Sequence, residues 1–159
     1  MEIRTLYREL WQQLRSITDE REARQMARWL LAHHHPDTAP LLLPNSNEQV
    51  DAVTKAALQQ QLQRLLQGEP IQYVLEEAHF DALRLRVTPD VLIPRPETEQ
   101  LVHWAIEKLP RQGRLLDIGT GSGCIPLAIK YHRPDVEVGG VDVSERALAV
   151  AQHNAAQHQ

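Results

Sequence analysis

The chain of 159 residues has a single cysteine, Cys124, so no disulfide can close within it. It also has no apolar stretch approaching the roughly 20 residues needed to span a bilayer. Glu2, Arg4, Arg8 and Glu9 break up the first residues, which argues against a secretory leader. There is no excess of positive charge: 17 Lys and Arg stand against 21 Asp and Glu, interspersed, for a formal net charge of −4. The electrostatic footprint of a nucleic-acid binder is therefore missing. No internal repeat or low-complexity segment is present beyond the short run Gln59 to Gln61. The 42% of hydrophobic residues suffices for a buried core. Together these features lead us to expect a cytoplasmic protein with no membrane association and no direct nucleic-acid contact, whose partner is another protein.

The first 70 residues carry helical spacing. We expect helices at Ile3 to Arg15, Glu20 to His34 and Glu48 to Gln67, with a short apolar piece at Thr38 to Leu43. The punctuation agrees: Asp19 and Glu22 form a capping box, Pro36 follows the second helix, Ser46 can cap the long one, and Gly68 with Pro70 can end it. The inward face of the resulting bundle would use Leu6, Leu10, Leu14, Met26, Trp29, Leu30, Val53, Leu58, Leu62 and Leu65. His33, His34 and His35 suggest a metal site, but helix neighbours point about 100° apart and cannot chelate one ion. A role as cations near the last helical carbonyls fits better.

From 71 to 93 the pattern changes to alternation, with Leu83, Leu85 and Val87 interleaved with Arg84 and Arg86, a strand signal with Asp81-Ala82 as the turn. His79, His103 and His132 are scattered, and no chemistry is assigned to them.

Residues 115 to 123 read Leu-Leu-Asp-Ile-Gly-Thr-Gly-Ser-Gly, and Asp142 follows the next apolar run, Val136 to Val141. A buried strand, a turn where backbone meets ligand, a helix over Cys124 to Tyr131 and an acidic residue for a ribose describe a nucleotide-type cofactor pocket. The glycines fall at 119, 121 and 123, whereas the dinucleotide pattern needs one at 124, occupied by Cys124. The nearest cations in sequence, Arg114 and Lys130, flank the loop at a distance, and S-adenosyl-L-methionine carries no phosphate that needs one. The spacing favours that cofactor over NAD. Cys124 has no evident base partner and reads as a packing residue.

Residues 91 to 99 read Val-Leu-Ile-Pro-Arg-Pro-Glu-Thr-Glu. Pro96 suits the first helical position, Glu97 and Glu99 complement the helix dipole, and Leu101, Val102, Ala105, Ile106 and Leu109 recur at helical spacing. Pro94 and Pro96 stiffen the approach, as befits a pocket wall holding Arg95 and Thr98. The plainer alternative is a well-started surface helix with Arg95 in a local ion pair.

The segments Ile93 to Glu99, Asp117 to Ile125, Gly140-Val-Asp-Val-Ser and Val87-Thr-Pro-Asp occur in an order that resembles the HemK/PrmC family of protein-glutamine N5-methyltransferases, which modify peptide chain release factors. The resemblance covers nearly the whole chain. It implies an α/β protein: an N-terminal helical bundle at 1–70 for substrate recognition, a β-hairpin linker at 71–93, and at 94–159 the first part of a Rossmann-like S-adenosylmethionine-dependent methyltransferase domain. It also implies Gly119, Thr120, Gly121, Ser122 and Gly123 at the methionine part of the cofactor, Asp117 at its amino group and Asp142 at its ribose. The substrate would be the glutamine of the release-factor Gly-Gly-Gln motif, and the full-length protein would be a monomer. One departure stands out: the family commonly has glycine after the Tyr-x-x stretch, where this chain has Glu76.

The catalytic Asn-Pro-Pro-Tyr motif of that family follows a further strand and does not occur in these residues. Only two parallel strands are expected, so the chain reads as an N-terminal portion, inactive alone, with an exposed apolar sheet edge. Two rival readings remain: a non-catalytic release-factor-binding module, and an adenine-N6 nucleic-acid methyltransferase, against which the acidic balance and the Ile93 to Glu99 segment argue. An NAD oxidoreductase is a distant third.

Overall fold

The computed structural model describes residues 1–35 and 49–158, and the expected apolar piece at Thr38 to Leu43 and the Ser46 cap lie outside them. The chain divides into two compact units, Met1–Leu75 and Glu76–Gln159.

The first unit is helical: α1 (Ile3–Leu14), α2 (Glu20–His34), α3 (Ala52–Leu66) and the short α4 (Ile71–Leu75). Asp19 caps α2 as expected, its carboxylate accepting the Glu22 N–H at 2.9 Å. The reciprocal half of the box is not made, because the Glu22 carboxylate takes the Thr18 hydroxyl instead. The cap of α3 is Asp51, three residues before Thr54: its carboxylate accepts the N–H groups of Val53 and Thr54 and the Thr54 hydroxyl at 2.8, 2.9 and 2.6 Å. These bonds hold the Asp51 carboxyl below the usual range, the Thr54 hydroxyl contributing most. Gly68 (φ +87°) ends α3, and the N–H of Glu69 bonds back to the Arg64 carbonyl at 3.1 Å.

Eight of the ten expected core residues are buried here, while Trp29 (44% exposed) and Val53 (80%) are not. Both sit at the margin of an otherwise correct helical stripe; Val53 lies in the first turn of α3, before the helix meets its neighbours. Residues 71–75 form a helix rather than a strand. Ile71 and Val74 bury on the bundle at helical spacing, and the Arg64 guanidinium donates to the carbonyls of Tyr73 and Val74, both at 3.3 Å. His34 Nε2 meets Gln61 Oε1 at 2.9 Å, joining the last turn of α2 to α3.

The second unit opens with an antiparallel hairpin, β1 (Glu77–Phe80) and β2 (Leu83–Arg86), turning at Asp81-Ala82 as the alternation predicts. Then come α5 (Pro96–Lys108), β3 (Arg114–Ile118), α6 (Cys124–His132), β4 (Glu137–Val141) and α7 (Glu145–Gln157). Strands β3 and β4 pair in parallel, Leu115 opposite Val138 and Ile118 opposite Val141, with α6 as the crossover, the start of a Rossmann-like sheet. Phe80, Leu83 and Leu85 of the hairpin share one core with Val102, Ile129 and Val136. Leu101, expected on the buried face of α5, is half exposed, because Val102 takes the central position of that face. Leu116 and Ile118 point to the other side of β3 and are mostly exposed. Among the described residues no helix is long and apolar enough to cross a membrane.

Glu76 has φ +52°, in the left-handed region that costs a non-glycine residue about 1–2 kcal/mol. Two bonds hold it there: its carbonyl accepts the Val87 N–H at 3.2 Å, and its carboxylate pairs with Arg86 at 2.8 Å. The departure from the family pattern is thus accommodated without losing the hairpin.

The burial pattern makes a direct expectation for urea unfolding followed by circular dichroism. Leu58→Ala should lower stability by about 2–5 kcal/mol. Val53→Ala, on the same helix, should change it by less than about 0.5 kcal/mol. Equal effects would mean the bundle face is wrongly assigned.

Candidate cofactor site

Beyond β3 the chain turns through Gly119, Gly121 and Gly123, with φ of +83°, +54° and +79°. Gly123 caps α6 in the left-handed conformation, and a Cβ there would lie 3.3 Å from the Ala151 Cβ of α7, so backbone geometry and close approach both call for glycine.

The turn is fastened to the end of β4. The Val141 carbonyl accepts the N–H groups of Gly119 and Thr120 at 2.8 and 3.0 Å. Asp142 then bridges two segments: Oδ2 accepts the Gly121 N–H and Oδ1 the Ser144 N–H, each at 2.9 Å. These backbone bonds, Ser144 first, hold its carboxyl below the usual aspartate range. A carboxylate has about four lone-pair sites, so two remain for hydroxyl donors. Ser144 in turn caps α7 by accepting the Ala147 N–H at 3.2 Å.

Two buried polar atoms at the turn have no hydrogen-bond partner among the described residues, Asp117 Oδ2 and Thr120 Oγ1. A buried anionic oxygen without a donor is costly, and an ammonium group supplied by a ligand would relieve it. Asp117 also acts on Cys124: burial, and secondarily the Asp117 charge, push its thiol up, which keeps it protonated at neutral pH and agrees with a packing role. Thr120 is buried against β4, where a Cβ on Gly140 would stand 2.6 Å from Thr120 Oγ1 and 2.9 Å from Thr120 Cβ.

The structure brings Asp117, Gly119 to Gly123 and Asp142 to the ends of β3 and β4. Arg95, exposed at the start of α5, and Thr98, whose N–H bonds to the Arg95 carbonyl at 3.0 Å, make no side-chain hydrogen bond or ion pair among the described residues. The local ion pair considered for Arg95 is therefore not formed. Sequence reading missed two groupings. Asp81 receives His132 Nε2 and lies 3.5 Å from His103 Nε2, joining the hairpin turn to α5 and α6. Burial, the largest single effect, raises the Asp81 carboxyl, but the His132 bond, the Ala82 backbone N–H and the charges of His132 and His103 together outweigh it and leave the group below its usual range. The other is Asn154, buried in α7 and bonded to the turn through the Ser122 carbonyl at 2.9 Å. Its signal was legible, since it falls four residues after Val150 and seven after Ala147 on the buried stripe of α7.

Comparison with known proteins gives a consistent result. A family model for the PrmC N-terminal domain matches residues 5–75, and one for the methyltransferase small domain matches residues 98–159. A Coxiella burnetii protein named release factor glutamine methyltransferase is 46% identical over 113 residues, covering 70% of this chain and 41% of that protein. A protein of the same name from Neisseria gonorrhoeae is 41% identical over 130 residues (82% and 48%), and one from Flavobacterium psychrophilum 38% over 149 (91% and 52%). The chain belongs to the HemK/PrmC family. It spans about half the length of the relatives it matches. The two family models fall on either side of the hairpin, the PrmC N-terminal domain before it and the methyltransferase small domain after it.

Two expectations follow from the packing of the turn. Gly140→Ala should destabilise the protein by about 1–3 kcal/mol, because Thr120 must shift at its Cβ, while Gly139→Ala, whose nearest neighbour is Leu116 Cδ1 at 3.5 Å, should be close to neutral in thermal unfolding. Because its folded pKa is depressed, the contribution of Asp142 is present above its ordinary 3.8 and lost as pH falls through the lower folded value. Protection of the Gly121 amide should therefore persist to about pH 4 and weaken below it in the wild type, and should already be weak at neutral pH in Asp142→Ala.

Proposed function

We propose that this chain supplies the partner-recognition bundle and the first half of the cofactor site of an S-adenosyl-L-methionine-dependent methyltransferase. Its substrate would be the side-chain amide N5 of the glutamine in the Gly-Gly-Gln motif of peptide chain release factors. The observation that carries the cofactor reading is Asp117 Oδ2, a buried carboxylate oxygen without a donor beside a glycine turn, which suits the ammonium of an amino-acid tail. The backbone of Gly119 to Gly123 would line the methionine portion, and the free lone pairs of Asp142 would take the ribose hydroxyls. Arg95 and Thr98 would form part of the pocket wall. Such a protein would work in the cytoplasm, where its substrate is, and as a monomer when whole.

The cofactor, when bound, supplies an electrophilic sulfonium methyl. The amide nitrogen that accepts it is a poor nucleophile, its lone pair delocalised into the carbonyl, so the protein contributes by orientation and exclusion of water rather than by a covalent intermediate. The residues here would hold the donor side. Because a family model for the PrmC N-terminal domain matches residues 5–75 by itself, a second reading is a release-factor-binding module without chemistry of its own.

Isothermal titration separates the two. The methyltransferase reading expects saturable binding of S-adenosylhomocysteine to this chain, at least about tenfold weaker in Asp142→Ala, the fold of the variant being checked by circular dichroism. Binding of a release factor without any cofactor affinity would favour the module. Undiminished affinity in Asp142→Ala would remove the ribose role.

A further inference from the structure

Asn154 lies within α7 and is fully buried, so each of its polar atoms must find a partner inside the protein. Oδ1 accepts the Arg86 N–H at 2.7 Å; Nδ2 donates one hydrogen to the Arg86 carbonyl and the other to the Ser122 carbonyl, both at 2.9 Å. One amide thus takes both backbone groups of a residue in β2 and reaches across to the glycine turn. A second clasp lies nearby, His158 Nε2 donating to the Arg84 carbonyl at 2.9 Å.

The Ser122 carbonyl is a sensitive point to hold. It belongs to the peptide unit between Ser122 and Gly123, whose plane turns about ψ of Ser122 and φ of Gly123, and the conformational freedom of Gly123 (φ +79°) would otherwise let it rotate. The N–H end of the same plane bonds to the Thr120 carbonyl at 2.9 Å, and Asn154 holds the other end. Releasing one end leaves a single hydrogen bond to resist a flip that would re-aim the backbone lining the pocket.

We propose that Asn154 is a positioning residue for the cofactor turn. Its side-chain amide fixes the Ser122–Gly123 peptide in the binding conformation and couples it to the hairpin strand β2, from which the chain runs on to the Ile93 to Glu99 segment. This rests on the reading of the glycine turn as the S-adenosylmethionine site. The role differs from that of Asp142, which holds the Gly121 amide from the β4 side.

The test uses the 159-residue chain with Asn154→Leu, which keeps the branched side-chain shape, though with more bulk, and removes all three bonds, and Asn154→Asp, which keeps the acceptor for the Arg86 N–H. Two readouts are taken: amide hydrogen exchange across 114–132 without ligand, and titration with S-adenosylhomocysteine. In Asn154→Leu, Gly123 should exchange about tenfold faster or more while the β3 and α6 amides keep their protection, and affinity should fall by a similar factor. In Asn154→Asp, the ionised carboxylate faces two carbonyl oxygens and cannot donate, so binding should be weak at the high-pH end of the profile. It should recover as pH is lowered and the protonated carboxyl regains a donor, a recovery the wild type does not show. If Asn154→Leu fails to fold, this pH profile carries the test. Unchanged Gly123 exchange and affinity in the variants, or exchange accelerated uniformly through the unit, would overturn the role of Asn154. A wild-type chain without affinity for S-adenosylhomocysteine would instead overturn the cofactor reading.

Discussion

The Asp142 carboxylate is shared between two backbone amides that belong to different elements, and much of the second unit follows from that arrangement. Parallel pairing of β3 and β4 ends with Ile118 opposite Val141, so the residues after each strand emerge side by side. On one side the chain must turn sharply into α6; on the other it must start α7. A carboxylate with two oxygens can satisfy an N–H on each path, which fixes the glycine turn relative to the first residues of α7. Ser144 extends the connection by capping α7. Without this bridge, three glycines in five residues would leave the turn with many backbone states, and a ligand would have to select one of them at the expense of its affinity.

The same logic explains why the donors and acceptors at the turn are so unevenly satisfied. The amides of Gly119, Thr120, Gly121 and Gly123 are all paired internally, which stiffens the backbone. Asp117 Oδ2 and Thr120 Oγ1 are buried without partners. A turn that organises its backbone this fully while leaving a carboxylate oxygen unpaired is a place of unmet hydrogen bonding. Such places suit a ligand that brings donors.

How far the sequence foretold this depended on the length scale of the interaction. Elements set by local pattern were legible: the limits of α2, the β3 strand, the Asp81-Ala82 turn and Pro96 at the start of α5 all come from spacing and capping within a few residues. Within helices the stripe was right but its margins were not, because periodicity tells which way Trp29, Val53 and Leu101 point and not whether another element arrives to cover them. Residues 71–75 misled because five residues cannot distinguish alternation from helical spacing; the Arg64 bonds to the Tyr73 and Val74 carbonyls belong to tertiary structure. The glycine turn and Asp142 were visible as a motif. Asp81 with His103 and His132, and Asn154 with Arg86 and Ser122, join residues far apart in the chain. For Asn154 a clue existed, a polar residue on an apolar stripe, but its partners could be found only in three dimensions.

The central claim is that the turn is already in its binding conformation without ligand. Chemical-shift mapping of the isotopically labelled chain during titration with S-adenosylhomocysteine tests this most directly. A preorganised site predicts saturable shifts centred on the amides of residues 117–123 and 142–144, with the remaining amides of the second unit little changed. Absence of saturable shifts, or shifts spread through the whole unit as it reorders around the ligand, would contradict it.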